Sequence, residues 1–257
     1  MCRFVAYIGA PVFLNEIVCK PAHSLLHQSL QAERAVTVTN GDGFGIGWYG
    51  DREEPAVYRE VMPAWSDENL LALCQTLRSS LFFAHVRAAT GTSIARQNSH
   101  PFRHGKWLFM HNGQIGGYAQ VRRALEAQLP DMLYAARKGA TDSELLFLLA
   151  LARIERGQAV GAAVRAVFDE TVALMIGRGL EAPLRFSAAL SDGQRLHVFR
   201  LSSDPKPPTL YVRADELGTV VASEPLDDDD GEWRAVPNGS VLSFDSRHVR
   251  AADAALV

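Results

Sequence analysis

A cysteine at position 2, directly after Met1, puts a thiol one residue from the chain start. Met before a small residue such as Cys is the kind that methionine aminopeptidase removes. Removal would leave one residue carrying both a thiol and a free α-amine. The thiol is a strong nucleophile once deprotonated. An α-amino group has a reference pKa of about 7.7–8.0, so near neutral pH part of it can accept a proton. Nucleophile and base then share one residue, like the pairs of Thr with an N-terminal amine. The plainer reading of Cys2 is an ordinary residue at the start of a strand.

Four further segments set polar, ionisable and glycine residues beside apolar runs. Asn40-Gly41-Asp42-Gly43-Phe44-Gly45 does not fit G-x-G-x-x-G, because Ile46 stands three after Gly43 and a strand follows. Its glycines permit a tight turn and close backbone approach, with Asp42 as a side-chain acceptor. His85-Val86-Arg87-Ala88-Ala89-Thr90-Gly91 closes the apolar run 81–84. Arg87 there can grip a carboxylate with two parallel N–H bonds, or serve a structural ion pair. His111-Asn112-Gly113 ends the run 107–110. The Asn112 amide and the Gly113 N–H can converge on one oxygen, as an oxyanion hole requires, or form a plain Asn-Gly turn. In Thr141-Asp142-Ser143-Glu144 a capping box uses Thr141 and Glu144. That leaves Asp142 to bind a substrate ammonium or to favour the helix dipole.

Other reactive side chains read as structural. Cys19 and Cys74 fit core positions, since free Cys is among the most buried types. His100, His104 and His111 match no common zinc spacing, and a metal would compete for Cys2, so no metal is expected. His23 and His27 share a helical face as packing residues. The acidic run 227–230 is a solvated loop.

These residues need elements to hold them. Residues 3–8 read as a strand, with Phe4, Ala6 and Ile8 on one face and Val5 and Tyr7 on the other, hence a sheet covered on both sides. Further strands are expected at 44–49, 81–86, 107–110, 210–213, 219–223 and 240–245, and a hairpin at 185–190 and 195–201. Helices are expected at 21–30, from an N-cap at Ser66 through Leu77, at 118–129, after Thr141, and at 159–176. Strands, then helices, then strands favour antiparallel sheets with helices stacked on them over a doubly wound fold.

Composition narrows the class. The 257 residues are 47% hydrophobic with a net charge of −3. No basic excess points to nucleic acid. No apolar run approaches the ~18–20 residues of a membrane span, and the start of the chain lacks the apolar region of a signal or lipoprotein peptide. Three cysteines, an odd and sparse set, fit a reducing compartment, most simply the cytoplasm.

Met1-Cys2-Arg3, the segments at 40–45, 85–90 and 111–113, Asn98-Ser99-His100-Pro101-Phe102 and Thr141-Asp142-Ser143-Glu144 occur in an order that resembles the class II glutamine amidotransferases. Val221-Ala222-Ser223-Glu224-Pro225 and the stretch 233–239 are similar to the family as well. The resemblance covers nearly the whole chain and implies a single amidotransferase type-2 domain over residues 2–257. It implies an N-terminal-nucleophile hydrolase, α+β in class, with a four-layer αββα sandwich of two antiparallel sheets. It also implies a role for each matching residue. Cys2 would be the nucleophile and its α-amine the base. Asn112 and Gly113 would form the oxyanion hole. Arg87 would hold the substrate α-carboxylate, Asp142 its α-ammonium, and Thr90 a further contact. Where many members have His after that Thr, this chain has Gly91.

The stretch 21–29 together with Gly-Asp-Gly-Phe-Gly resembles a stand-alone branch, which includes glutathione-degrading amidotransferase-like proteins and γ-glutamyl hydrolases of ergothioneine synthesis. The implied activity is cleavage of a γ-glutamyl amide bond, in glutamine or another small γ-glutamyl compound, with no cofactor. Two alternatives stand beside it. One is a glutaminase subunit feeding ammonia to a separate synthase, with a separate acceptor or peptidase subunit as partner. The other is a catalytically silent binding subunit with unprocessed Met1.

Overall fold

The computed structural model describes residues 2–31, 39–89, 93–229 and 232–245. The chain opens with β1 (Arg3–Phe13), then two short helices, α1 (Asn15–Val18) and α2 (Leu25–Leu30). A hairpin of β2 (Phe44–Trp48) and β3 (Ala56–Glu60) precedes α3 (Glu68–Thr76) and β4 (Arg78–Val86). Next come β5 (Phe102–His104) and β6 (Trp107–Ile115). The middle is helical: α4 (Tyr118–Glu126), α5 (Asp131–Ala136), α6 (Asp142–Ile154) and α7 (Val160–Gly177). The last third returns to strands, with β7 (Leu184–Ser191), β8 (Arg195–Ser202), β9 (Tyr211–Ala214), β10 (Gly218–Ala222), β11 (Arg234–Ala235) and β12 (Ser240–Asp245).

Among the described residues the strands form two sheets, ordered β11-β9-β10-β1-β4-β2-β3 and β12-β8-β7-β6-β5. Every pairing is antiparallel. The period of two in β1 decides the layering. Phe4, Ala6 and Ile8 enter a cluster with Leu108 and Met110 of the other sheet. Val5 and Tyr7 point the opposite way, into a cluster with Ile17 and Leu70 of α1 and α3. On the far side, Phe109 and Phe186 pack against α6 and α7. The result is the expected four-layer αββα sandwich.

Every residue from Ser143 to Ala152 is buried, as suits a helix apolar nearly all round. The stacked rings of Phe109 and Phe147, with centroids 5.2 Å apart, lock α6 to β6. Gly45 and Gly47 of β2 face the other sheet. A Cβ on Gly45 would lie 2.2 Å from the His100 carbonyl oxygen, and one on Gly47 would lie 2.7 Å from Pro101 Cγ. Glycine is needed on that face because the 100–101 backbone lies flush against it.

Several boundaries differ from expectation for local reasons. The cap of α3 is Asp67, whose carboxylate accepts from Leu70 N at 2.8 Å; Ser66 instead donates to the Pro63 carbonyl. Helix α2 starts only after Ser24, which accepts from His27 N. Strand β6 runs on through His111-Asn112-Gly113 to Ile115, so that triplet is not a turn.

Register brings four strand ends together. Arg3 faces Val86, Phe44 faces Val86, and Val5 faces Ala222. The start of β1, the start of β2, the end of β4 and the end of β10 therefore share one edge of the first sheet.

Candidate active site

Cys2 sits at that edge, half-buried just before β1. Its thiol donates to the Ala88 carbonyl and accepts from Ala88 N, both at 3.4 Å. Burial pushes the thiol pKa up, while the Ala88 backbone and the Arg87 charge pull against it. The Cys2 carbonyl accepts from Arg3 Nη1 at 3.0 Å. Arg3 in turn pairs with Glu224, and both side chains are buried.

Arg87 follows β4 and is buried. Its backbone N–H donates to the Gly43 carbonyl at 2.8 Å, and Asp42 N donates back to the Arg87 carbonyl at 3.0 Å. Asp42 Oδ2 accepts from Ala89 N at 2.8 Å. The glycine loop is thus laced to the strand end beside Cys2, and Asp42 is a side-chain acceptor for that strand end rather than for its own turn. Gly43 has φ +115°, and a Cβ there would lie 2.7 Å from the Glu60 carbonyl. The guanidinium donates to the Ser93 carbonyl at 3.2 Å. Burial lowers its pKa, and the neighbouring Cys2 and Asp42 raise it. Thr90 lies outside the described residues.

Asn112 and Gly113 lie inside β6, opposite Ser187 and Phe186. Asn112 is on the inter-sheet face, by the same alternation that turns Leu108 and Met110 there. Its Nδ2 donates to Ser223 Oγ at 2.9 Å. Its Oδ1 is buried on the side of the His85 imidazole. Gly113 has φ +142°, and a Cβ there would come within 1.8 Å of the Arg185 carbonyl oxygen. No other residue fits that position.

Asp142, the first residue of α6, is half-buried. Its Oδ2 accepts from Ile115 N at 2.8 Å and its Oδ1 from Ser143 N at 2.9 Å. It therefore ties the end of β6 to the helix, a structural job that the sequence left unassigned. An ionised carboxylate keeps acceptor capacity beyond these two bonds. The expected capping box is half made. Thr141 Oγ1 accepts from Glu144 N at 3.1 Å, while the Glu144 carboxylate accepts from Lys138 N and Gly139 N.

The structure joins Asp42 to Arg87 and Ala89 directly, joins Cys2 to the same segment through Ala88, and joins Asn112 to β1 through Ser223. Asp142 reaches the assembly through β6. Sequence reasoning missed the contributions of Arg3, Glu224, Ser223, His85 and His100. Arg3 and Glu224, and likewise Phe4 and Ser223, are about two hundred residues apart, beyond any spacing rule. The rings of His85 and His100 lie 4.2 Å apart, centroid to centroid, in the inter-sheet layer. Burial, with Arg87 and His111 nearby, pushes the His85 pKa down to about 3. Burial, with His85, His111 and Arg87 nearby, pushes His100 well below the ordinary range. Cys74 is buried and Cys19 half-buried, as core residues. His23 bonds Asp228 at 2.8 Å, so it does more than pack. Among the described residues, no group of three or more His, Cys, Asp or Glu could hold a metal ion. Among them too, no helix is long and apolar enough to cross a membrane.

Comparison with known proteins bears on this arrangement. Residues 16–205 match the family model described as glutamine amidotransferases class-II. The chain is 31% identical to the γ-glutamyl-hercynylcysteine sulfoxide hydrolase of Mycolicibacterium smegmatis, over 97% of this chain and 98% of that protein. It is 30% identical to the probable glutamine amidotransferase DUG3 of Saccharomyces cerevisiae, over 95% of this chain and 82% of that one. A solved glutamine aminotransferase class-II domain protein from Silicibacter pomeroyi matches with a TM-score of 0.75 at 36% identity, over 96% of each chain. The phosphoribosylpyrophosphate amidotransferase of B. subtilis shares the fold, with a TM-score of 0.63 at 18% identity over 96% of this chain and 48% of that one.

Proposed function

The chain belongs to the class II glutamine amidotransferases, and from that membership we propose that it hydrolyses a γ-glutamyl amide bond through a Cys2 γ-glutamyl thioester. The unit responsible is a single amidotransferase type-2 domain over residues 2–257. With Met1 removed, the Cys2 α-amine takes the thiol proton and the sulfur attacks the γ-carbonyl carbon. The resulting oxyanion is held by the Asn112 amide and Gly113 N–H. The C–N bond then breaks, and the leaving amine takes the proton back from the α-ammonium. Water, deprotonated by the same amine, adds to the thioester and releases glutamate and the free thiol. Arg87 and Asp142 bind the α-carboxylate and α-ammonium of the glutamyl group, and Thr90 adds a contact. The chemistry needs no cofactor, and a thiol nucleophile suits a reducing cytoplasm.

One observation carries this reading: Cys2 rests against Ala88, one residue from Arg87, at the sheet edge that Ser223 bonds to Asn112. This adjacency supports a single site made of nucleophile, carboxylate grip and oxyanion donor. Hydrolysis is favoured over delivery of ammonia to a separate synthase because the match extends over 98% of a relative named as a hydrolase. The test is a screen of glutamine, glutathione and other γ-glutamyl compounds with purified protein whose N-terminal residue is fixed by intact mass. Glutamate release from at least one compound, with Cys2 as first residue, is expected. Protein that retains Met1 and releases no glutamate would instead be a binding subunit. Release from glutamine that rises only with an added partner would favour the ammonia-delivering reading.

A further inference from the structure

Ser223 lies just past β10 and is fully buried. Its hydroxyl oxygen accepts from Phe4 N at 2.8 Å and from Asn112 Nδ2 at 2.9 Å. The same hydroxyl lies 3.3 Å from the Phe4 carbonyl, to which it donates. Ser223 N also donates to that carbonyl, at 3.0 Å. One side chain therefore bridges the strand that begins at the nucleophile and the strand that carries the oxyanion amide. These strands belong to different sheets.

A carboxamide is planar and its two N–H bonds diverge in that plane. Anchoring one N–H on Ser223 fixes where the other points. The opposite edge of the amide, Oδ1, is buried beside the His85 imidazole, and Ser223 holds the N–H edge. Phe4 is two residues from Cys2, so the same hydroxyl also fixes the backbone from which the thiol projects. An oxyanion donor acts only if it is aimed at the developing charge before reaction.

We propose that Ser223 is a positioning residue that aims the Asn112 amide at the oxyanion and sets its distance from Cys2. The proposal rests on the oxyanion role given to Asn112 above. A hydroxyl that merely filled space or closed the end of β10 would act on stability and leave Asn112 unaffected.

The experiment is a double-mutant cycle on kcat, with L-γ-glutamyl-p-nitroanilide and L-glutamine as probes and melting temperature followed in parallel. Asn112→Ala is expected to lower kcat by on the order of 10²–10³-fold, with a smaller change in KM. Ser223→Ala should lower kcat by about 10-fold or more with KM within about 3-fold of wild type, since aim matters mainly in the transition state. In the Asn112→Ala background the same Ser223→Ala change should alter kcat by less than about 2-fold, because residues acting as one unit are not additive. Ser223→Cys keeps a side chain of similar shape with a poorer acceptor, and it should fall between wild type and Ser223→Ala should the latter fold poorly. Multiplicative losses in the double mutant, or wild-type kcat in a folded Ser223→Ala, would overturn the positioning role while leaving the oxyanion reading intact. Wild-type kcat in Asn112→Ala would overturn both.

Discussion

Arg3 and Glu224 form an ion pair that is buried on both sides, and Arg3 also holds the carbonyl oxygen of Cys2. The pair fixes the peptide plane that follows Cys2, while Ala88 contacts the Cys2 sulfur. Removing one partner strands a charge in the core, which typically costs about 3–5 kcal/mol. Glu224→Ala is therefore expected to lose stability on that scale in urea unfolding. The double change Arg3→Met with Glu224→Leu should restore most of it, since a well-packed apolar pair is often as stable. It should not restore kcat, because the Cys2 carbonyl loses its donor. Wild-type kcat in the double variant would show that the pair serves the fold alone.

The buried imidazoles make stability depend on pH. The His85 pKa is down near 3 in the folded chain, against about 6.5 for an unperturbed His. Burial also lowers His100 and His111. Between the folded and unfolded values, the unfolded chain binds protons that the native chain does not. The His85 contribution is thus complete above about pH 6.5 and is lost as pH falls toward 3, by up to roughly 1.4 kcal/mol per pH unit, and His100 and His111 act in the same direction. Unfolding free energies measured from pH 7 to pH 4 should show this slope. In His100→Phe, where an aromatic ring still meets Phe102, the slope should be shallower. An unchanged slope would mean that His100 is protonated in the native state.

Much of the layering was legible in the sequence, because it rests on short-range patterns. The alternation in Phe4, Val5, Ala6, Tyr7 and Ile8 announced a sheet covered on both faces, and the capping signal at Thr141 announced a helix. Composition alone could not tell which strands would be neighbours, since pairings such as Val5 with Ala222 join distant segments. The Asn112-Gly113 pair misled locally. Asn-Gly favours turns, yet pairing with β7 holds it extended at the φ only glycine tolerates. Asp142 showed an ionisable group with no local task. Its bond to Ile115 N became visible only when β6 was placed against the start of α6.

The assignment of Cys2 as the nucleophile separates cleanly from the other thiols. Cys2 is half-buried at a strand end, so Cys2→Ala should abolish hydrolysis while the melting temperature stays near wild type. Cys2→Ser should retain little activity, because a hydroxyl is far less acidic than a thiol. Cys19→Ala and Cys74→Ala should leave kcat unchanged. Cys74 is fully buried, so its replacement should still lower stability. Glutamate release by a folded Cys2→Ala protein would rule out the thioester route.

Arg87 and Asp142 are assigned to opposite charges on one glutamyl group, and each also has a structural bond that the test must respect. Arg87 donates to the Ser93 carbonyl, and Asp142 accepts from Ile115 N. Asp142→Asn keeps an acceptor for Ile115 while removing the charge, so it is a cleaner probe than Asp142→Ala. Truncating one partner of a desolvated charge pair costs about 2 kcal/mol or more, which corresponds to roughly a 30-fold rise in KM. Arg87→Ala and Asp142→Asn should each show at least that rise. The double mutant should lose less than the product of the two, because the substrate head group couples them. Arg87→Lys should rescue only in part, since an ammonium cannot make the paired contact of a guanidinium. A purely structural role makes the opposite forecast: melting temperature falls and KM holds. Steady-state kinetics with a γ-glutamyl substrate beside thermal melts decides between them, and an unchanged KM in both single variants would remove the glutamyl clamp.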